Sequence, residues 1–130
     1  MTCKDIYDAA LSLIAESADP ADTADYEERA PYLLAAFCAE HYQTDMRVRE
    51  VMGEQTADEP NSLYLALETQ FPLLPRFTAG AALYLAAMLI IDDFPDFSDR
   101  LYDRYCDSVS RLYDCLPAVC KQTVNKYFGD

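Results

Sequence analysis

Along most of this chain, apolar residues recur at helical spacing. Near the start, Ile6, Ala10, Leu13 and Ile14 share one face, which predicts a helix over about residues 3–17. Thr2 stands at the N-cap position with Asp5 three residues on, close to the capping-box pattern. Ser17 to Asp25, with Pro20, reads as a loop. A second face runs through Tyr26, Ala30, Leu33, Leu34, Phe37 and His41, straight across Pro31. An interior proline removes a backbone hydrogen bond and costs about 3 kcal/mol, so a kink or a restart is expected there. Asp22, Asp25, Glu27 and Glu28 crowd the first turn of this segment, where the helix dipole favours negative charge. A sparser pattern predicts a further helical piece around Asp45 to Gly53.

Glu54 to Pro60 is polar and turn-like. The following stretch, SLYLALETQFPLLPRF, carries Pro72 and Pro75, which stop a helix from running through it. It is either extended or a loop lying on the core, and it is unusually apolar for a loop. The longest apolar run, Ala79 to Ile91, has thirteen residues between Arg76 and the pair Asp92–Asp93. A membrane-spanning helix needs about 20 such residues, so a buried central helix is predicted over about Arg76 to Ile91. The next helix should cover about residues 95–116, with Pro95 suited to its first position. Its stripe is Phe97, Leu101, Tyr105, Val109, Leu112 and Leu116. Asp96 with Arg100 and Asp107 with Arg111 are i,i+4 pairs on its other side, worth about 0.2–0.5 kcal/mol each if formed. Pro117 opens a short last helix ending near Phe128 and Gly129. These elements predict an all-α fold, a small helical bundle of about four to five helices with an apolar Pro-bounded loop before the central helix. The whole of 1–130 reads as one domain.

Composition agrees with this reading. There are 18 Ala and 15 Leu against 5 Val and 4 Ile, a balance that favours helix over sheet. With 52% hydrophobic residues the chain is too apolar to stay disordered. The formal charge of -13 excludes binding modes that work by neutralising phosphates or by docking basic clusters on anionic lipid. The acids are spread along the chain: residues 1–30 hold 8 acids and 2 bases, and residues 92–114 hold 7 and 3. The first residues lack a basic region followed by a continuous apolar one, so no signal peptide is expected. Cys3, Cys38, Cys106, Cys115 and Cys120 are odd in number and scattered, unlike a secreted disulfide scaffold. They read as reduced, mostly buried thiols of a cytosolic protein.

The chain is poor in reactive constellations. His41 is its one histidine, and Cys38 lies three residues before it on the same side of a helix. A lone C-x-x-H matches no closed zinc framework, so Cys38 is read as a core residue with His41 at the core's edge. Asp92 to Asp99 lacks the glycine and the final glutamate of a helix–loop–helix calcium site, and is read as capping the next helix. Glu27 and Glu28 point to different helix faces and make no acid–base pair. Three glycines leave no phosphate-cradling loop. No catalytic, cofactor-binding or metal site is expected, and no enzyme. Ten tyrosines are too many to bury in one small core with their hydroxyls satisfied. Some will line the core rim; others suit a protein interface. Contact candidates on the apolar Pro-bounded loop are Phe71, Leu73, Leu74 and Phe77, unless that loop merely covers the core.

Three stretches carry a resemblance. They are DIYDAALSLIAE at the start, DYEERAPYLLAAF after an acidic loop, and FPLLPRFTAGAALYLAAMLIIDDFPDFSDRLYDRYCDSV. In order and spacing they resemble the small helical head–tail connector (head-completion adaptor) proteins of long-tailed phages and prophages. LPAVCKQTVNKYFGD looks like the closing segment of prophage members. Gln43 to Asn61 has no counterpart. The resemblance implies a structural neck protein without catalysis, made in the bacterial cytoplasm and assembled into the virion. It would dock on the portal protein beside other neck components and self-associate as a ring by head-to-tail contacts around the DNA channel. An acidic lumen would keep DNA from adhering to the wall. It implies no cofactor, no membrane and no sequence-specific nucleic acid. From charge alone, the competing reading is an acidic protein-binding module, such as a DNA mimic that inhibits a nucleic-acid-binding protein.

Overall fold

Four α-helices account for most of the described residues, which are 1–16, 22–56, 58–59 and 62–114 of the computed structural model. The first helix, α1 (Cys3–Leu13), begins with the capping box read from the sequence: the Asp5 amide donates to Thr2 Oγ1, and the Thr2 amide donates to Asp5 Oδ2 at 2.8 Å. Its buried stripe is Cys3, Ile6, Tyr7 and Ala10, and Ile14 continues it just past the helix end.

Pro31 does not interrupt the second helix. In place of two or three pieces, the chain forms one 30-residue helix, α2 (Thr23–Met52), with Pro31 inside it. The proline ring removes the amide that would bond the Glu27 carbonyl, and Glu27 is exposed, so water can take that bond. The stripe across the proline is continuous: Tyr26, Ala30, Leu34, Phe37, Cys38, His41, Asp45 and Val48 are all buried. Tertiary burial of that stripe outweighs a local cost of about 3 kcal/mol. Gly53, at φ 71°, ends the helix in the left-handed region. The Glu54 and Gly53 amides then donate to the Arg49 and Glu50 carbonyls, closing the last turn.

The apolar Pro-bounded loop has no regular structure until a single 3-10 turn, Pro75–Phe77, leads into α3 (Thr78–Ile90). α3 is the central helix. It packs on α1, α2 and, most extensively, α4 (Pro95–Asp114). Nine of its thirteen residues are buried, on every side of the axis, as expected of a helix surrounded by others. Pro95 starts α4 as its first residue, and Leu101, Tyr105 and Val109 are buried with Phe97 and Leu112 packed beside them. Neither acid–base pair expected on α4 closes as an ion pair among the described residues; Arg100 instead lies over the Phe97 ring, 5.6 Å from its centroid. The last expected helix, from Pro117 to near Phe128 and Gly129, lies outside the described residues, as do Cys115 and Leu116 at the end of the helix expected over about 95–116. No helix among the described residues is long and apolar enough to cross a membrane.

Three polar ties lock this packing. Arg29 on α2 donates to the Met88 and Leu89 carbonyls (3.0 and 3.4 Å), capping the C-terminus of α3 where the dipole favours a cation. Ser98 Oγ donates to the Ala87 carbonyl at 2.8 Å and fastens α4 to α3. Asp45, wholly buried, accepts from the Leu74 amide (2.9 Å) and from Arg49 Nε (2.8 Å).

Candidate functional site

Phe71, Leu73, Leu74 and Phe77 all turn inward. Each is under 9% exposed, and Phe77 is completely buried. The loop lies along the seam between α1 and α2 and covers the core, so its apolar side chains are engaged within the chain. Its backbone is as busy as its side chains. The Thr69 and Leu67 carbonyls accept from the Cys3 and Lys4 amides, which are unpaired donors of the first turn of α1. Leu65 donates to the Pro31 carbonyl and Phe71 to the Met1 carbonyl. Arg49 then reaches the Pro72 carbonyl (3.0 Å) and the Gln55 carbonyl (2.9 Å) while holding Asp45. The loop is a built-in lid on the core.

Cys38 and His41 do sit together on α2, but in an environment that suppresses their chemistry. Burial pushes the Cys38 thiol up to about 12, so it holds its proton at neutral pH. His41 is not at the core's edge: it is 3% exposed, stacked against Phe37 and hydrogen bonded through Nε2 to the Tyr105 hydroxyl at 2.7 Å. Desolvation holds its pKa below the usual 6.5 and keeps the ring neutral. Its Nδ1 is buried without a hydrogen-bond partner among the described residues. No three His, Cys, Asp or Glu side chains converge as a metal site among the described residues. Cys3 is buried and Cys106 exposed.

Accessible tyrosines and acids come together where α2, α3 and α4 leave an open groove of about 410 Å³. Tyr84, Met88 and Ile91 line it from one face of α3, at i, i+4 and i+7. Ser98, Asp99 and Tyr102 line it from α4, and Glu40 from α2. Behind them, the Tyr105 ring lies 5.3 Å from both Tyr84 and Tyr102, tilted against the first and edge-on to the second, and Phe37 backs Tyr84 at 5.8 Å. Burial, and then the Glu40 carboxylate, raise the pKa of both Tyr84 and Tyr105. Tyr84 and Tyr105 therefore stay protonated beside a carboxylate. Glu40 and Asp99 are exposed, and neither has an ion-pair partner among the described residues. Other tyrosines stand elsewhere on the surface: Tyr32 against Tyr64, with ring centroids 5.1 Å apart, and Tyr113 accepting from Thr44 Oγ1.

A tyrosine excess was legible in the sequence; its convergence was not, although the α3 spacing of Tyr84, Met88 and Ile91 and the α4 spacing of Asp99 and Tyr102 each mark one face. The Asp45–Arg49 tie was missed because Gln43 to Asn61 resembled nothing. An acid at the stripe position between His41 and Val48 was the available signal. No family model, no curated protein and no solved structure matches this chain.

Proposed function

We propose that this chain is a structural neck protein of a phage or prophage. It docks on the portal as a head–tail connector, self-associates in a ring there, and catalyses no reaction. The observation that carries this is the order of its elements. A capped amphipathic helix, a long helix with an internal proline, an apolar Pro-bounded loop, an Ala-rich central helix, an acidic turn and an aromatic helix follow one another as in those adaptors. Three further features support it. The thiol of Cys38 and the imidazole of His41 are spent in packing, which suits a protein whose work is contact. Tyr32, Tyr64, Tyr102 and Tyr113 remain exposed, and tyrosine is enriched where proteins meet. The acidic surface suits a wall that DNA slides past without adhering. Before assembly such a protein resides in the bacterial cytoplasm, and it takes no cofactor.

The test is to co-express the chain with the portal protein from its own genome and to image purified portal by negative-stain microscopy. An added ring of density at the portal, with both chains co-eluting, is the expected result. Portal that elutes alone and shows no added density overturns the proposal. Displacement of DNA from a basic protein by the isolated chain would favour the DNA-mimic alternative.

A further inference from the structure

From the groove between α2, α3 and α4 we infer a second property: it is a recognition site for an arginine side chain presented by a partner protein. Its walls supply what a guanidinium requires. Tyr84 and Tyr102 offer aromatic surface, each in contact with Tyr105 at 5.3 Å between ring centroids. Cations are attracted to such faces, and the flat guanidinium also stacks on them. Glu40 and Asp99 supply carboxylates at the rim, from α2 and α4. Neither acid pairs with a cation among the described residues, and three arginines of these helices are committed elsewhere: Arg29 to Asp25 and the end of α3, Arg49 to Asp45 and the loop, and Arg100 to the Phe97 ring. Met88 and Ile91 provide apolar surface for the methylene stem, which arginine buries while its head is bonded. A volume of about 410 Å³ accommodates one long side chain and the backbone that carries it.

The occupant is a basic partner, because a chain of formal charge -13 with an acidic rim at this groove draws cationic side chains to it. The partner's arginine gains both a steering field and a specific seat. Lysine fits less well, since a compact ammonium cannot stack or bond two carboxylates in a plane. Glu40 also raises the pKa of the Tyr84 phenol, which lines the groove and stays protonated beside it. The inference stands on the groove alone and holds whether or not the partner is a portal protein.

The test is an NMR titration of the intact ¹⁵N-labelled chain with three short blocked peptides, identical except for a central arginine, lysine or citrulline. The expected result is that arginine shifts the amides of residues 40, 84, 88, 91, 98, 99 and 102, and binds on the order of tenfold more tightly than citrulline, with lysine between. Glu40→Gln and Tyr102→Ala should each weaken arginine binding several-fold. Glu27→Gln, an exposed acid on the same helix far from the groove, should leave it unchanged. Glu40 and Tyr102 are surface residues, so both variants keep the fold, and their spectra verify it. Equal affinity for arginine and citrulline, or shifts scattered over the acidic surface, or equal weakening by Glu27→Gln, overturns the inference.

Discussion

The loop over the α1–α2 seam and the groove between α2, α3 and α4 are two regions rich in aromatic and apolar side chains, and they were built for opposite ends. In the loop, Phe71, Leu73, Leu74 and Phe77 are buried and the backbone around them is tied down by Asp45, Arg49 and the first turn of α1. In the groove, Tyr102 is 41% exposed and the acids Glu40 and Asp99 have no ion-pair partner among the described residues. A loop so apolar, with only Glu68 and Arg76 charged, reads as sticky, yet its apolar side chains are what allow it to be swallowed by the core. The side chains left outside are amphipathic, because a phenol can keep one end wet. Polar partners mark the difference: where the buried donors and acceptors are matched internally the surface is closed, and where charges stand unmatched it awaits something.

Substitutions can pull these two regions apart. The largest effect is expected at Asp45. Asp45→Ala leaves Arg49 unpaired and the buried Leu74 amide without an acceptor, and should cost about 3–5 kcal/mol by urea unfolding. A loss below about 1 kcal/mol would mean the lid is held by its side chains alone. Next, Tyr105→Phe removes the hydroxyl that His41 bonds behind the groove, and should cost about 1–3 kcal/mol while leaving the loop contacts intact. Thr2→Ala removes the N-cap at the end of α1 that meets the loop, and should cost about 1 kcal/mol in the same measurement.

A pH series probes the same buried histidine. Because burial depresses the His41 pKa in the folded chain below 6.5, the unfolded chain takes up that proton first. The contribution is absent well above pH 6.5 and becomes destabilising as pH falls through that value towards the folded pKa. Stability of the unaltered chain should therefore drop, relative to His41→Gln, between pH 7 and pH 5; parallel curves would show that the ring is not sealed. The smallest effect belongs to the groove's rim, where Glu40→Gln and Asp99→Asn should each change stability by less than about 0.5 kcal/mol. A rim substitution as costly as Asp45→Ala would erase the distinction between lid and groove.

Helical class, the opening cap, the central helix and the start of α4 at Pro95 were all readable along the chain, since each rests on local spacing or on one residue's backbone preference. The continuity of α2 through Pro31 was not: a local penalty is visible in the residue itself, whereas the stripe that outweighs it acquires its worth only when α1 and α3 cover it. Asp45 shows the same limit. Its place between His41 and Val48 on a buried face could be read from the spacing, but its acceptor role depends on the Leu74 amide, twenty-nine residues away. The inward turn of Phe71, Leu73, Leu74 and Phe77 needed that same amide and the first turn of α1 to receive the loop. The groove arises from three helices at once, with Glu40, Tyr84 and Tyr102 each unremarkable on its own element. Period and capping are properties of neighbours in sequence, so the chain declares them; which face becomes lid and which becomes groove is a property of neighbours in space, and packing alone assigns it.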